Sequence, residues 1–480
     1  MDSLRHLTKV GASTSHTDLP GLSDEQVLKT DMLQYQLGLL RIAYPTQEAE
    51  EASLAPIFTG AVLANRESAH PNDGATLNVS QYGLLAGSSE MLKSLESKQD
   101  VDIKVLQEDP RLLFNVTAPS STFICGSQGS GKSHTLSCML ENCLIPSKAG
   151  HLPNPLTGVV FHYDAFISDT AGSPCEAAFL SSHADAKVRV LCSPTNIRSM
   201  KGTYSRFDID VEPLQIDQND LNTKRMMDLM AVGQNDGSIP LYMQSVKRIL
   251  REMRILQQQA GTRFDYKDFK QRIMDIGLTP MQLEPLKQRL DILESFMPQT
   301  QTTINRRKGK NERQYSGSDW NPIYMNSSLE ASAFTDTLLS TVRLQRHLGV
   351  RVIISTQEPT ISTALLNLCS ITIVHRFTSP EWLRALRKHL AAAAEDLTFA
   401  KPRQVLPQPG EDCPGEDSPS LMDRIVCLTV GEALLFAPSA IIYAGMQGNK
   451  RVGFRRLGAD YLTIKVRERL TADGGKSILS

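Results

Sequence analysis

Residues 121–135 read Ser-Thr-Phe-Ile-Cys-Gly-Ser-Gln-Gly-Ser-Gly-Lys-Ser-His-Thr. A short apolar run passes into the spacing G-x-x-x-x-G-K-[ST], filled by Gly126, Gly131, Lys132 and Ser133. Backbone N–H groups can wrap a phosphate only where the chain adopts positive φ and comes close to the anion. Gly126, Gly129 and Gly131 permit both. A helix opening after the loop would aim its unsatisfied N–H groups at the same anion. Lys132 then reaches the β- and γ-phosphates, and the Ser133 hydroxyl is the expected Mg²⁺ ligand. Ser127, Gln128, Ser130 and His134 complete the nucleotide-binding stretch. The expected ligand is ATP with Mg²⁺. A Gly/Ser turn that matches by accident is the competing reading.

A cradle alone hydrolyses nothing. A carboxylate at the tip of a neighbouring buried strand must complete the Mg²⁺ shell, and an adjacent Glu usually polarises water. Four apolar residues followed by Asp-Glu do not occur in the sequence. Asp164 follows the run Val159, Val160, Phe161 and can act as the Mg²⁺ carboxylate of a kinase-like site; a strand-end aspartate capping a turn explains it as well. Asp319 follows Tyr315-Ser316-Gly317-Ser318, which is no buried strand. The run Val352-Ile353-Ile354 ends in Ser355-Thr356-Gln357, which places an amide where open α/β sheets hold ligands. Gln357 there can sense the γ-phosphate or position water, or merely form a polar turn before Pro359.

These residues need strands and helices to position them. Strands are expected at 111–116, 121–125, 158–164, 188–191, 350–355 and 370–377, with helices at 330–347 and 363–368. Alternation of strand and helix predicts a parallel sheet with crossover helices. Tyr242, Val246, Ile249, Met253 and Leu256 share one helical face, as do Leu283, Leu286, Leu290, Leu293 and Phe296. Closing strands are expected at 425–430, 433–436 and 440–443, followed by a basic stretch at 450–469. The domain reading has a partly disordered N-terminal segment (1–105), a first core part (106–205) and a helical insertion (206–300). A basic polar loop (301–323) and a second core part (324–470) with a Pro/Gly/acidic linker (402–420) complete it.

The 480 residues are 41% hydrophobic and 21% charged, an ordinary globular balance with room for a large core. A formal net charge of −1 announces no polyanion partner, so any nucleic-acid contact must be a local patch. Arg306, Arg307, Lys308, Lys310 and Arg313 form one basic run, read as a solvated loop, a nuclear address or a phosphate-contacting patch, and Lys247, Arg248, Arg251 and Arg254 form another, read as a solvated helix face or a phosphate contact. The 8 cysteines show no metal or C-x-x-C spacing and read as reduced thiols. The N-terminal residues are polar, and the longest nearly apolar stretch, 433–445, is too short to span a bilayer. An intracellular protein, cytoplasmic or nuclear, without a membrane segment is the expectation.

The stretch from Arg343 through Arg346, Gly349 and Gln357 to Pro359 resembles the late core of the HerA–FtsK superfamily of P-loop ATPases, closest to a fungal branch. There a helix ending in Arg-x-x-Gly leads to a strand and then Thr-Gln-x-Pro. Ile373 to Phe377, with Arg376, resembles the next strand, and Gly431-Glu432-Ala433 resembles the terminal Gly-Glu-Ala turn. The resemblance covers roughly residues 109–469. It implies a RecA-like parallel sheet, a hexameric ring of identical chains, and ATP-driven movement of DNA or another polymer. Gln357 would be the sensor, and Arg343, Arg346 or Arg376 would complete a neighbour's site.

One departure from that family bears on catalysis. Asp319 stands where the family's Asp-Glu begins, but Trp320 replaces the Glu and the polar loop 305–318 replaces the preceding strand. Either the protein binds ATP without turning it over, or the reading frame lacks a piece of a full ATPase; the intact flanking motifs favour the second. A small-molecule P-loop kinase using Asp164 is the third reading.

Overall fold

The computed structural model describes residues 51–67, 79–96, 109–162, 172–222, 225–226, 241–302, 329–357, 361–390, 420–447 and 450–473. Among the described residues the thirteen strands are β1 (Ile57–Thr59), β2 (Tyr82–Ser88), β3 (Arg111–Asn115), β4 (Ser121–Cys125), β5 (Gly150–His151), β6 (Arg189–Cys192), β7 (Asp210–Pro213), β8 (Val352–Thr356), β9 (Ile371–Val374), β10 (Glu432–Phe436), β11 (Ile441–Gln447), β12 (Lys450–Arg456) and β13 (Leu462–Val466). The helices are α1 (Gly60–Glu67), α2 (Ser89–Glu96), α3 (Lys132–Leu144), α4 (Ile197–Thr203), α5 (Leu241–Ala260), α6 (Tyr266–Met274), α7 (Pro280–Ser295), α8 (Gln299–Thr302), α9 (Leu329–Leu348), α10 (Thr363–Leu368), α11 (Pro380–Arg387) and α12 (Leu421–Cys427).

Eleven strands form one mixed sheet in the order β12-β11-β1-β3-β2-β13-β10-β9-β4-β8, with β5 paired to β2. β4 runs parallel to both β8 and β9, and β1 parallel to β11; the other pairings are antiparallel. The wholly parallel sheet read from the sequence is therefore corrected to a largely antiparallel one with a three-stranded parallel portion. In the C-terminal part short connections explain the difference, because β10, β11, β12 and β13 follow one another without crossover helices. The N-terminal β1 and β2 belong to this same sheet.

Every residue of β4 is buried, as a strand covered on both faces requires. Ile124 packs with Cys138 and Met139 of α3. Phe123 and Cys125 pack on the opposite face with Leu366 of α10, Leu383 and Leu386 of α11, and Leu421 and Ile425 of α12. The alternation follows from the two-residue period of a strand. α12 also corrects the strand expected at 425–430: Ser420 caps it through Asp423 in a reciprocal capping box, which starts a helix there.

The expected strand at 158–164 is not formed over its described part. Residues 155–162 have no regular structure, and Val159 is 64% exposed. β6 pairs instead with β7 in a separate two-stranded parallel sheet. α5 to α7 form their own core, in which Tyr242, Val246, Ile249, Met253, Tyr266, Phe269, Leu286, Leu290 and Leu293 are buried. Leu256 departs from the expected face, with 47% of its surface exposed. Among the described residues no helix is long and apolar enough to cross a membrane.

Candidate nucleotide site

Three parallel strands end at one level. Cys125 stands opposite Thr356 of β8 and Val374 of β9. The chain leaves β4 as the glycine loop, leaves β8 as Gln357, and leaves β9 as His375-Arg376. The carboxyl ends of parallel strands thus gather the loop, an exposed amide and a cation at one edge of the sheet.

The loop takes the conformation its glycines allow. Gly126, Gly129 and Gly131 have φ of 152°, 72° and 107°. A Cβ on Gly126 would lie 2.7 Å from the His375 Cβ and 2.8 Å from the Ser130 hydroxyl, so no side chain fits. Gly131 is the N-cap of α3, which begins at Lys132. Ser127 holds the loop to β9: its backbone N–H (2.8 Å) and hydroxyl (2.9 Å) both donate to the Arg376 carbonyl. The Ser127 carbonyl accepts from the Ser130 hydroxyl and the Lys132 ammonium, each at 2.7 Å. Lys132 is thereby folded onto its own loop. Burial lowers its pKa from the ordinary lysine value. Ser133 is exposed on the first turn of α3, and Gln128 and Gly129 are exposed at the loop tip.

His134 takes a different part from the one expected. Its Nε2 lies 2.7 Å from the Arg467 carbonyl beyond β13, so its side chain braces α3 instead of facing the loop. Arg376 is exposed beside its own loop. Arg343 and Arg346 are exposed on α9 and precede the start of β8, at the end of the sheet opposite Gln357. Asp164 and Asp319 lie outside the described residues. Neither strand beside β4 carries a carboxylate: β8 reads Val-Ile-Ile-Ser-Thr and β9 reads Ile-Thr-Ile-Val. Among the described residues no group of three His, Cys, Asp or Glu is placed to hold a metal ion.

Two further elements complete the wall behind the loop. His375 is fully buried, with Nε2 2.9 Å from the Thr135 hydroxyl and Nδ1 3.0 Å from the Glu432 carbonyl. Gly431, with φ 82°, brings its backbone N to 3.2 Å from where a Gly131 Cβ would stand. The Glu432 carboxylate accepts from the Thr429 N–H (3.0 Å) and hydroxyl (2.8 Å) and pairs with Lys93 at 3.3 Å. The sequence marks Gly431-Glu432 only as a turn. The signal for His375 was a polar residue closing the apolar run 371–374, where a buried partner has to be found.

No family model matches the chain, and no curated protein matches it.

Proposed function

We propose that the protein binds ATP with Mg²⁺ in the cradle formed by residues 126–134. The observation that carries this reading is the loop itself. Three glycines at positive φ, the first with no room for a side chain, lead into a helix N-terminus with a lysine folded back over the loop. On binding, Lys132 would exchange the Ser127 carbonyl for the phosphates, and the exposed Ser133 hydroxyl would take Mg²⁺. Bound Mg²⁺ would neutralise phosphate charge. Gln357, at the end of the strand beside the loop, would meet the γ-phosphate side.

Binding without turnover is favoured by a specific observation. β8 and β9, which flank the loop strand, end in Thr356 and Val374 and supply no carboxylate to polarise water. The wider proposal, an ATPase ring of HerA–FtsK type moving DNA or another polymer, rests on the sequence resemblance and needs a carboxylate from elsewhere, such as Asp319 or Asp164.

Calorimetric titration with Mg-ATP, and phosphate release with and without DNA, test these readings on wild type, Lys132→Ala and Gln357→Ala. Wild type should bind ATP, and Lys132→Ala should bind at least 100-fold more weakly, a loss of about 3 kcal/mol. Equal binding by both would remove the cradle reading. Turnover above the Lys132→Ala background would replace binding alone with catalysis.

A further inference from the structure

The wall of the cradle on the β9 side carries a cation outside the glycine-loop motif. β10 lies beyond β9 in the sheet and β13 beyond β10, so both lie on the opposite side of β4 from Gln357. Gly431, just before β10, has its backbone against Gly131, and the Lys465 ammonium of β13 stands 3.4 Å from where a Gly431 Cβ would be. Gly131, Gly431 and Lys465 therefore form one stack. Its first two members are glycines, so only the Gly431 backbone stands between Gly131 and the lysine.

Lys465 is exposed and donates to the Val430 carbonyl at 2.7 Å. An ammonium has three donors, so this bond leaves two for a ligand. The acid opposite it in register is Glu432, but that carboxylate is engaged by Thr429 and Lys93. The lysine charge thus stands beside the Gly431 turn that backs the glycine loop, on a flexible four-carbon stem.

We propose that Lys465 is a second phosphate-binding cation of this site, acting on the side away from Gln357, at the α- and β-phosphates of the nucleotide. The proposal rests on the nucleotide reading given above. Because ATP and ADP share those two phosphates, the cation should hold both nucleotides equally. Lys132 and Gln357 would distinguish them at the γ-phosphate.

Calorimetric titration of the full chain with Mg-ATP and with Mg-ADP, together with unliganded melting curves, tests the assignment on wild type, Lys465→Gln, Lys465→Arg and Lys132→Ala. Lys465→Gln should weaken both nucleotides by the same factor, about tenfold, as expected for one charge-assisted contact. Lys465→Arg should recover most of that loss, and unliganded melting should be unchanged. Unaltered affinity in Lys465→Gln, with wild type binding and Lys132→Ala failing, would overturn the proposal and leave the cradle intact. A loss confined to ATP would overturn the placement by putting the cation at the γ-phosphate. Equal losses with a lowered melting temperature and no rescue by arginine would make Lys465 a fastener of the Val430 turn, again overturning it. If wild type binds neither nucleotide, the cradle reading itself fails and the proposal with it.

Discussion

The His375 Nε2 lies 2.9 Å from the Thr135 hydroxyl, and this contact joins the end of β9 to the first turn of α3 beneath the glycine loop. The other ring nitrogen faces the Glu432 carbonyl at 3.0 Å. A carbonyl only accepts, so Nδ1 carries the proton and Nε2 accepts from Thr135. The neutral ring is thus the form that satisfies both neighbours. Burial first, then the nearby Lys132 and His134 charges, push its pKa down to about 4, against the Glu432 and Ser130 backbone contacts.

The sign of the resulting pH dependence follows. In the unfolded chain this histidine takes up a proton near its ordinary value of about 6.5, and in the folded protein only near 4. Between these values the unfolded state binds more protons, so stability falls as pH drops. The contribution is complete above pH 6.5 and amounts to about 3 kcal/mol. Glu141 and Glu432 lose their contributions at lower pH, because their folded pKa values lie below the ordinary carboxylate value. Urea midpoints of wild type and His375→Gln from pH 7.5 to 4.5 check this. The variant should be weaker at pH 7.5 and show a flatter profile; parallel profiles would reject it.

The three loop glycines should differ in their tolerance of alanine. At Gly126 the new Cβ meets His375 and Ser130 under 3.0 Å, including a Cβ atom that cannot swing away. At Gly131 it meets the Gly431 backbone at 3.2 Å, and at Gly129 it meets nothing within 4 Å. Gly126→Ala should cost about 3 kcal/mol and abolish ATP binding, whereas Gly129→Ala should cost about 1 kcal/mol from its positive φ alone. Thermal melts of the three variants should rank Gly126 worst and Gly129 mildest. Equal losses would mean that the neighbours do not set the cost.

The glycine loop, its strand and its helix were legible because local sequence determines them: positive φ needs glycine, and α3 begins where the glycines end. The parallel placing of β8 and β9 against β4 also followed from alternating apolar runs and helices. The antiparallel remainder was not legible. Apolar runs at 112–116, 433–436 and 462–466 give the period of a strand but not its direction. The run Val159-Val160-Phe161 misled for a related reason: β propensity forms a strand only where a sheet edge receives it. Glu141 and Arg467 are 326 residues apart, a pairing no spacing could announce.

Glu141 should prove costly to replace. Its side chain is fully buried on α3 and accepts from Arg467 (2.8 Å), the Leu470 N–H (3.0 Å), and the Thr471 N–H (3.0 Å) and hydroxyl (2.6 Å). Burial alone would raise its pKa, but these donors outweigh it and hold the carboxyl below the ordinary value. Together they fasten residues 467–471 along the helix that follows the loop. Glu141→Gln leaves Arg467 buried without its counter-charge and should cost about 3–5 kcal/mol. Urea denaturation measures the loss, and limited proteolysis should show earlier cutting after Arg467. An unchanged midpoint would mean the network carries no net stability.

The helical core should fail separately from the sheet. Leu290 and Phe269 lie in a cluster that contains only residues 216–297, and none of its members belongs to the cores around β4. Leu290 is 1% exposed, so Leu290→Ala removes a well-packed side chain and should cost that unit about 2–5 kcal/mol. Because the cradle is built on β4, β9 and α3, ATP affinity should stay within about twofold. Hydrogen exchange should show faster opening of α5 to α7 while α3 keeps its protection. Loss of ATP binding in this variant would show instead that the helical core and the nucleotide site fold as one cooperative unit.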